Sequence, residues 1–170
     1  AGRAQPKPAF ISYEHWLSCQ PGGGFGLRAG RFLPAYGVRF ADHTVYTRAP
    51  LDLDRNDQVY GVEVSDTVGS SLVQVMVSPG KAEAILHDRA RRGFSAASRW
   101  QHDIGPRATI VGSAVYRDRT DVDPRSGLVG GAVGFAPTSR VSIWTEVDGQ
   151  MQTKTARGPY HESRSTRHSA

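Results

Sequence analysis

One cysteine, Cys19, stands in a chain of 170 residues. That scarcity rules out an intramolecular disulfide and any cysteine-rich metal site. Long apolar runs are missing too. No stretch approaches the roughly 18 consecutive apolar residues that a spanning helix needs, and mean hydropathy is −0.43. A helical membrane protein is therefore excluded, whereas a membrane barrel is not, because its strands show lipid only alternate residues. The opening residues AGRAQPKP lack both a basic n-region and an apolar h-region, so the chain reads as mature, as a fragment, or as never exported.

Positive charge is scarcer than the formal +5 suggests. The tail after Gln152 holds Lys154, Arg157, Arg164 and Arg167 against Glu162, which leaves the body only a small excess. No Lys/Arg cluster is interleaved with aromatics, so nucleic acid is not an expected partner. Histidines 15, 43, 87, 102, 161 and 168 are scattered without His-x-x-x-His or His-x-His spacing, and no metal or other cofactor is expected.

What the chain does have is turn chemistry and alternation. Its 19 glycines and 10 prolines suit a turn-rich β architecture. From Arg140 to Gln152, Val141, Ile143, Thr145, Val147, Gly149 and Met151 face one way. Ser142, Trp144, Glu146, Asp148 and Gln150, with Arg140, face the other. Period two is the signature of a strand. The same reading yields strands in FISYEHW (Phe10–Trp16), Phe25–Arg39 with a bulge or break near Pro34, Tyr60–Ser65, Leu72–Ser78, Phe94–Gln101, Arg107–Arg117 and Leu128–Ala136. The stretch PGKAEAILHDRARRG places Ala82, Ile85, Leu86 and Arg89 at helical spacing, either as a short helix in a loop or as a crossover helix.

The expected fold is thus all-β: an antiparallel up-and-down meander of about eight strands, forming a transmembrane β-barrel or part of one. Strands and loops fill residues 9–152. Residues 1–8 read as a loose N-terminal segment, and residues 153–170 as a polar, basic, disordered tail. The argument for the membrane is loop length. Short connections at Leu17–Gly24, Asp66–Ser70, Asp103–Pro106 and Ala136–Ser139 alternate with long ones at Phe40–Gln58, Gly80–Arg92 and Asp118–Ser126. Outer-membrane barrels alternate in this way, with short periplasmic turns and longer extracellular loops. One face of the strands is apolar, with Phe94, Trp100, Tyr116 and Phe135 as candidate interfacial aromatics. The other face carries Arg28, Glu63, Arg99, Arg140, Glu146 and Asp148. These six are the candidate lumen residues. They either set the field for passing ions or pair structurally across strands.

The stretch GRFLPAYG (Gly30–Gly37), followed by a polar loop, resembles the strand end of bacterial outer-membrane porins of the phosphate-selective porin O/P kind. The strand–turn–strand pairs from Gly93 onward resemble porin-type hairpins. The resemblance spans about Phe25–Gln152 and implies an exported outer-membrane barrel. It implies no phosphate site, because the lysine-rich lumen of such pores is missing: the lysines are Lys7, Lys81 and Lys154. If the long loops are extracellular, the first strand begins outside and the eighth ends outside. A whole barrel has both termini in the periplasm, so the pattern reads as a fragment.

Other motifs carry less. Asp52, Asp54 and Asp57 with Asn56 lack the glycine and glutamate of a calcium loop, and Asp118, Asp121 and Asp123 likewise read as a solvated loop. Surface divalent ions bridging lipopolysaccharide fit such loops. Glu146 and Asp148 are about 7 Å apart along one strand face, a distance at which carboxylates do acid–base work. No framing pocket is legible, and no enzyme is expected. Gly22–Gly26 precedes a strand rather than a helix and is not a phosphate loop. Ser18 and Cys19 beside His15 form no nucleophile motif.

Porin-like passage of small solutes or ions across the bacterial outer membrane is the leading expectation. The partners are the bilayer and its lipopolysaccharide, and a homo-oligomer is a further option. A non-conducting barrel that sheathes a partner such as a cytochrome is the second reading, favoured by the small lumen residues Gly130, Ala132 and Gly134. A soluble antiparallel ligand-binding β domain is the third.

Overall fold

The structure is a computed structural model that describes residues 14–38, 51, 53, 58–79, 93–119 and 125–153. Eight strands follow one another: β1 (His15–Gly22), β2 (Phe25–Phe32), β3 (Val59–Val68), β4 (Ser71–Ser78), β5 (Gly93–Ile104), β6 (Ala108–Arg119), β7 (Ser126–Thr138) and β8 (Val141–Gln152). They form one sheet in sequence order, and every neighbouring pair is antiparallel. This is the expected up-and-down meander. It is not a closed barrel: among the described residues β1 and β8 do not pair with each other.

Glycine makes the tight turns. Val68 pairs with Ser71, so Gly69 and Ser70 form a two-residue connection in which Gly69 takes φ +59°. Positive φ in such a hairpin matches the right-handed twist of the strands it joins. Gly23 and Gly24 do the same between β1 and β2 at φ +67° and +88°. The turn expected over Leu17–Gly24 is consequently shorter than its sequence suggested, because Leu17–Gly22 stays in the sheet. The expected strand Phe10–Trp16 is displaced accordingly; residues 10–13 lie outside the described residues, and β1 starts at His15. The stretch at 80–92 that was read as a short loop helix or a crossover helix, the N-terminal segment 1–8 and the tail after 153 also lie outside them.

The largest departure is at the end of β2. The strand expected to run to Arg39 stops at Phe32, which pairs with Val59. Pro34 has no N–H to continue a ladder, and Gly37 adopts φ +58°. Residues Leu33–Val38 therefore leave the sheet and fold back across one face of it as a strap. The sheet curls around this strap. Arg99 of β5 and Glu146 of β8 lie three strands apart, about 14 Å on a flat sheet. Yet Arg99 Nε donates to the Gly37 carbonyl at 2.8 Å, and Glu146 Oε1 accepts from the Val38 amide at 3.1 Å. Both side chains grip the same peptide unit.

The core sits between strap and sheet. Phe32, Tyr36, Leu53 and Val59 pack with Met76, Ala97, Val115 and Leu128, while Val38 joins Val111, Ala132 and the half-buried Trp144. The inner face was expected to hold only small and polar residues. It also buries these apolar side chains because the strap gives them something to pack against.

Candidate functional site

Cross-strand register assigns each residue to a face. On the inner face, one row runs Arg28–Glu63–Met76–Ala97–Val115–Leu128–Gln150 from β2 to β8, and the next runs Gly26–Ser65–Gln74–Arg99–Ser113–Gly130–Asp148. These rows form a hydrogen-bonded ladder. Arg28 Nη2 meets Glu63 Oε2 at 2.7 Å. Gln74 Nε2 donates to the other Glu63 oxygen at 3.2 Å, and Arg99 Nη1 donates to Gln74 Oε1 at 3.1 Å. Arg99 Nη2 then donates to Gln101 Oε1 at 2.6 Å, and Gln101 Nε2 to Asp103 Oδ1 at 3.2 Å. Thr109 closes the run by donating to Asp103 at 2.7 Å. Arg28 also lies over Phe32, with its guanidinium carbon 4.1 Å from the ring centroid, and 5.6 Å from Trp16 on the neighbouring strand. Arg28, Arg99 and Glu63 are all largely buried, and pairing offsets what such burial costs a charge.

The strap is tied to the far side of the sheet by polar contacts. Tyr36 donates its hydroxyl hydrogen to Asp148 Oδ1 at 2.8 Å, and the Gly37 amide donates to Ser113 Oγ at 2.8 Å. Gly130 makes the first of these possible, because a Cβ there would overlap both the Asp148 carboxylate and the Tyr36 ring. Arg117, buried on β6, donates to the Leu51 carbonyl at 2.9 Å. The peptide unit between Gly37 and Val38 thus presents its carbonyl to a cation and its amide to an anion, the arrangement that charge-assisted bonds favour.

Of the six candidate lumen residues, five share this inner face: Arg28, Glu63, Arg99, Glu146 and Asp148. Arg28 and Glu63 form a direct pair, and Arg99, Glu146 and Asp148 hold the strap. Arg140 does not join them. It occupies the exposed turn before β8, where the Thr138–Val141 pairing ends the alternation that its sequence position implied. Tyr36, Gln74, Gln101, Ser113 and Arg117 were not singled out from the sequence. Tyr36 lies inside the Gly30–Gly37 motif, which was the available signal. Asp118 of β6 is in an ion pair with Arg125 at 3.3 Å; the other loop aspartates considered for calcium lie outside the described residues. Ser142 and Trp144 of β8, with Asp103 and Thr109, line a cleft of about 280 Å³ at the short-turn end.

The outer face is the opposite in character. The row Cys19–Leu27–Val64–Val75–Ser98–Ala114–Val129–Gly149 crosses all eight strands without a charge. So does the row Leu17–Ala29–Val62–Val77–Ala96–Tyr116–Gly127–Met151. The Arg, Asp and His side chains on this face lie nearer the strand ends, at His15, Arg31, Asp66, His102 and Asp118. Phe25, Phe94 and Phe135 also stand near strand ends, and the large apolar residues between are exposed. Among the described residues no helix is long and apolar enough to cross a membrane.

Comparison with protein-family models, curated proteins and solved structures returns no match.

Proposed function

We propose that this chain is the wall of an outer-membrane β-barrel that passes small solutes or ions passively, with the Leu33–Val38 strap narrowing the path. One observation carries the reading: the face left exposed is the uncharged, largely apolar one, and the charged residues lie on the covered face beside the apolar cluster packed under the strap. Water-soluble sheets bury the first and solvate the second. A contiguous apolar surface across eight strands far exceeds what soluble monomers leave open, whereas lipid supplies what such a surface lacks. The strands of β5–β8 have 12 or 13 residues, enough for the roughly 9–11 that a tilted strand needs to span the hydrocarbon. Lipopolysaccharide and phospholipid are the partners this surface fits, and the outer membrane is the compartment.

On this reading Arg28, Glu63, Arg99, Glu146 and Asp148 act chiefly by shaping the path, since each is engaged with another residue. A barrel that sheathes a partner protein needs an open interior, and the strap occupies that space, so passage of small solutes is preferred. The test begins with the outer-membrane fraction, where heat-modifiable migration on gels is expected. A detergent-free soluble monomer sinks the reading. Planar-bilayer recordings then separate pore from scaffold, with discrete conductance expected and its absence counting against transport.

A further inference from the structure

The two edges of the sheet are its unfinished part. β1 has a partner only in β2, and β8 only in β7, among the described residues. Every residue of β1 is exposed. On the outer face, Leu17 of β1 is 84% exposed, and Val147 and Met151 of β8 are 72% and 76% exposed. No apolar residue of the inner strands reaches those values. An edge of this length with no strand beside it among the described residues is a template for another strand.

We infer that a second copy of this chain completes the wall, with β8 of each copy pairing to β1 of the other. Three features select this occupant. The first is direction. In a meander with an even number of strands the two edge strands run oppositely, so β8 beside a partner's β1 is antiparallel, as every other pair in the sheet is. The second is the order of faces. A strand added at either edge must point apolar residues outward and polar residues inward. β1 does so over Leu17–Gln20, with Leu17 and Cys19 outside and Ser18 and Gln20 inside, and β8 with Val147 outside and Glu146 inside. The third is the space inside. A closed barrel of about eight strands has an interior just wide enough for side chains or one small ligand. This sheet already holds six residues of strap main chain there, together with Leu51 and Leu53. Closure of one copy on itself is therefore blocked by its own contents. Two copies give a sixteen-stranded ring with twofold symmetry, a size that leaves an aqueous channel beside the straps. Pairing extends along β1 over His15–Gln20, because Pro21 lacks a donor and the register shifts between Cys19 and Gly22.

The partner adds to the transport reading without depending on its outcome, and the lone cysteine makes the seam testable. Cys19 is exposed on the outer side of β1. A second cysteine is placed on the outer side of β8 by Ile143→Cys, Thr145→Cys or Val147→Cys, one at a time, to scan register. Oxidation of the full chain in detergent or vesicles is followed by non-reducing gels and mass spectrometry. The expected result is a covalent dimer carrying the Cys19-to-β8 linkage at one or more of the three positions, since a disulfide needs Cα atoms about 4.4–6.8 Å apart. The inward-facing Ser142→Cys variant is expected to give none. Three outcomes overturn the proposal: a monomer that has lost both thiols, free thiols at all three positions, or dimer no more abundant than for the parent chain. Heat-modifiable migration without the linkage removes only the second copy. The linkage in a detergent-free soluble protein removes only the membrane.

Discussion

The outer and inner faces of the sheet are made by the same strands and differ in almost everything else. Outside, uncharged rows such as Leu27–Val64–Val75 stand exposed. Inside, the Arg28–Glu63–Gln74–Arg99 ladder and the Phe32–Met76–Leu128 cluster are covered by the strap. The lesson is that burial here does not follow polarity. Most polar groups gain from being covered because they find specific partners, Arg28 Nε and Ser95 Oγ being exceptions, whereas the apolar face is left exposed. Stability on the inner face is therefore a matter of internal packing. On the outer face it depends on the solvent.

The largest test of that contrast removes the keystone of the inner cluster. Phe32 is 0% exposed and is the last residue of β2 before the strap. Phe32→Ala is expected to cost about 3–5 kcal/mol in denaturant unfolding, in detergent and in vesicles alike. A cost that vanished in lipid would erase the distinction between the faces. The matching outer-face test is Val75→Arg, in the middle of β4. In a bilayer it is expected to cost about 2–4 kcal/mol, as a basic residue does near the midplane of a barrel. In water or mild detergent the change is expected to lie within about 0.5 kcal/mol, as for most surface substitutions. Equal values in the two media would show that lipid does not touch this face.

Much of the outer face could be read from the amino acids, because period-two alternation survives wherever one side of a strand meets a uniform medium. Val141, Ile143 and Val147 announce themselves in that way. The inner face was legible only in part. Arg28 and Glu63 fell on the right side by parity, and their pairing follows from register, which turn lengths alone did not settle. Arg140 was grouped with them by extending the alternation one residue into what is a turn. The strap was missed for a physical reason: Phe32, Tyr36 and Val38 continue a plausible strand pattern through Pro34. Nothing local says that the chain will fold inward. That outcome depends on Arg99, Ser113, Glu146 and Asp148, all more than sixty residues away.

The contrast is sharpened at the strap itself by Tyr36→Phe. The change keeps the ring in the buried cluster and deletes only the donor to Asp148. A hydrogen bond to a charged group is worth about 1.5–3 kcal/mol, and that loss is expected in unfolding measurements. On the proposed transport reading, single-channel conductance is expected to rise as well, because the strap loses one of its ties to β8. Unchanged stability would mean that the remaining ties carry the strap without it.

The smallest effect separates a ladder from a row of independent contacts. Thr109 sits at its open end, where the hydroxyl donates to Asp103 and water competes for both. Thr109→Val is therefore expected to cost only about 0.5–1 kcal/mol. Gln74 lies four members inward, accepting from Arg99 and donating to Glu63. If the chain of bonds from Glu63 to Thr109 polarises as a unit, removing a member near one end should weaken the other. A double-mutant cycle of Thr109→Val with Gln74→Leu then departs from additivity by more than the roughly 0.3–0.5 kcal/mol seen for distant, independent sites. The outer face supplies the control, since Ile110 and Val73 make no such chain. The cycle of Ile110→Ala with Val73→Ala is expected to be additive within that margin. Coupling on both faces, or on neither, would leave the inner ladder no different from ordinary cross-strand packing.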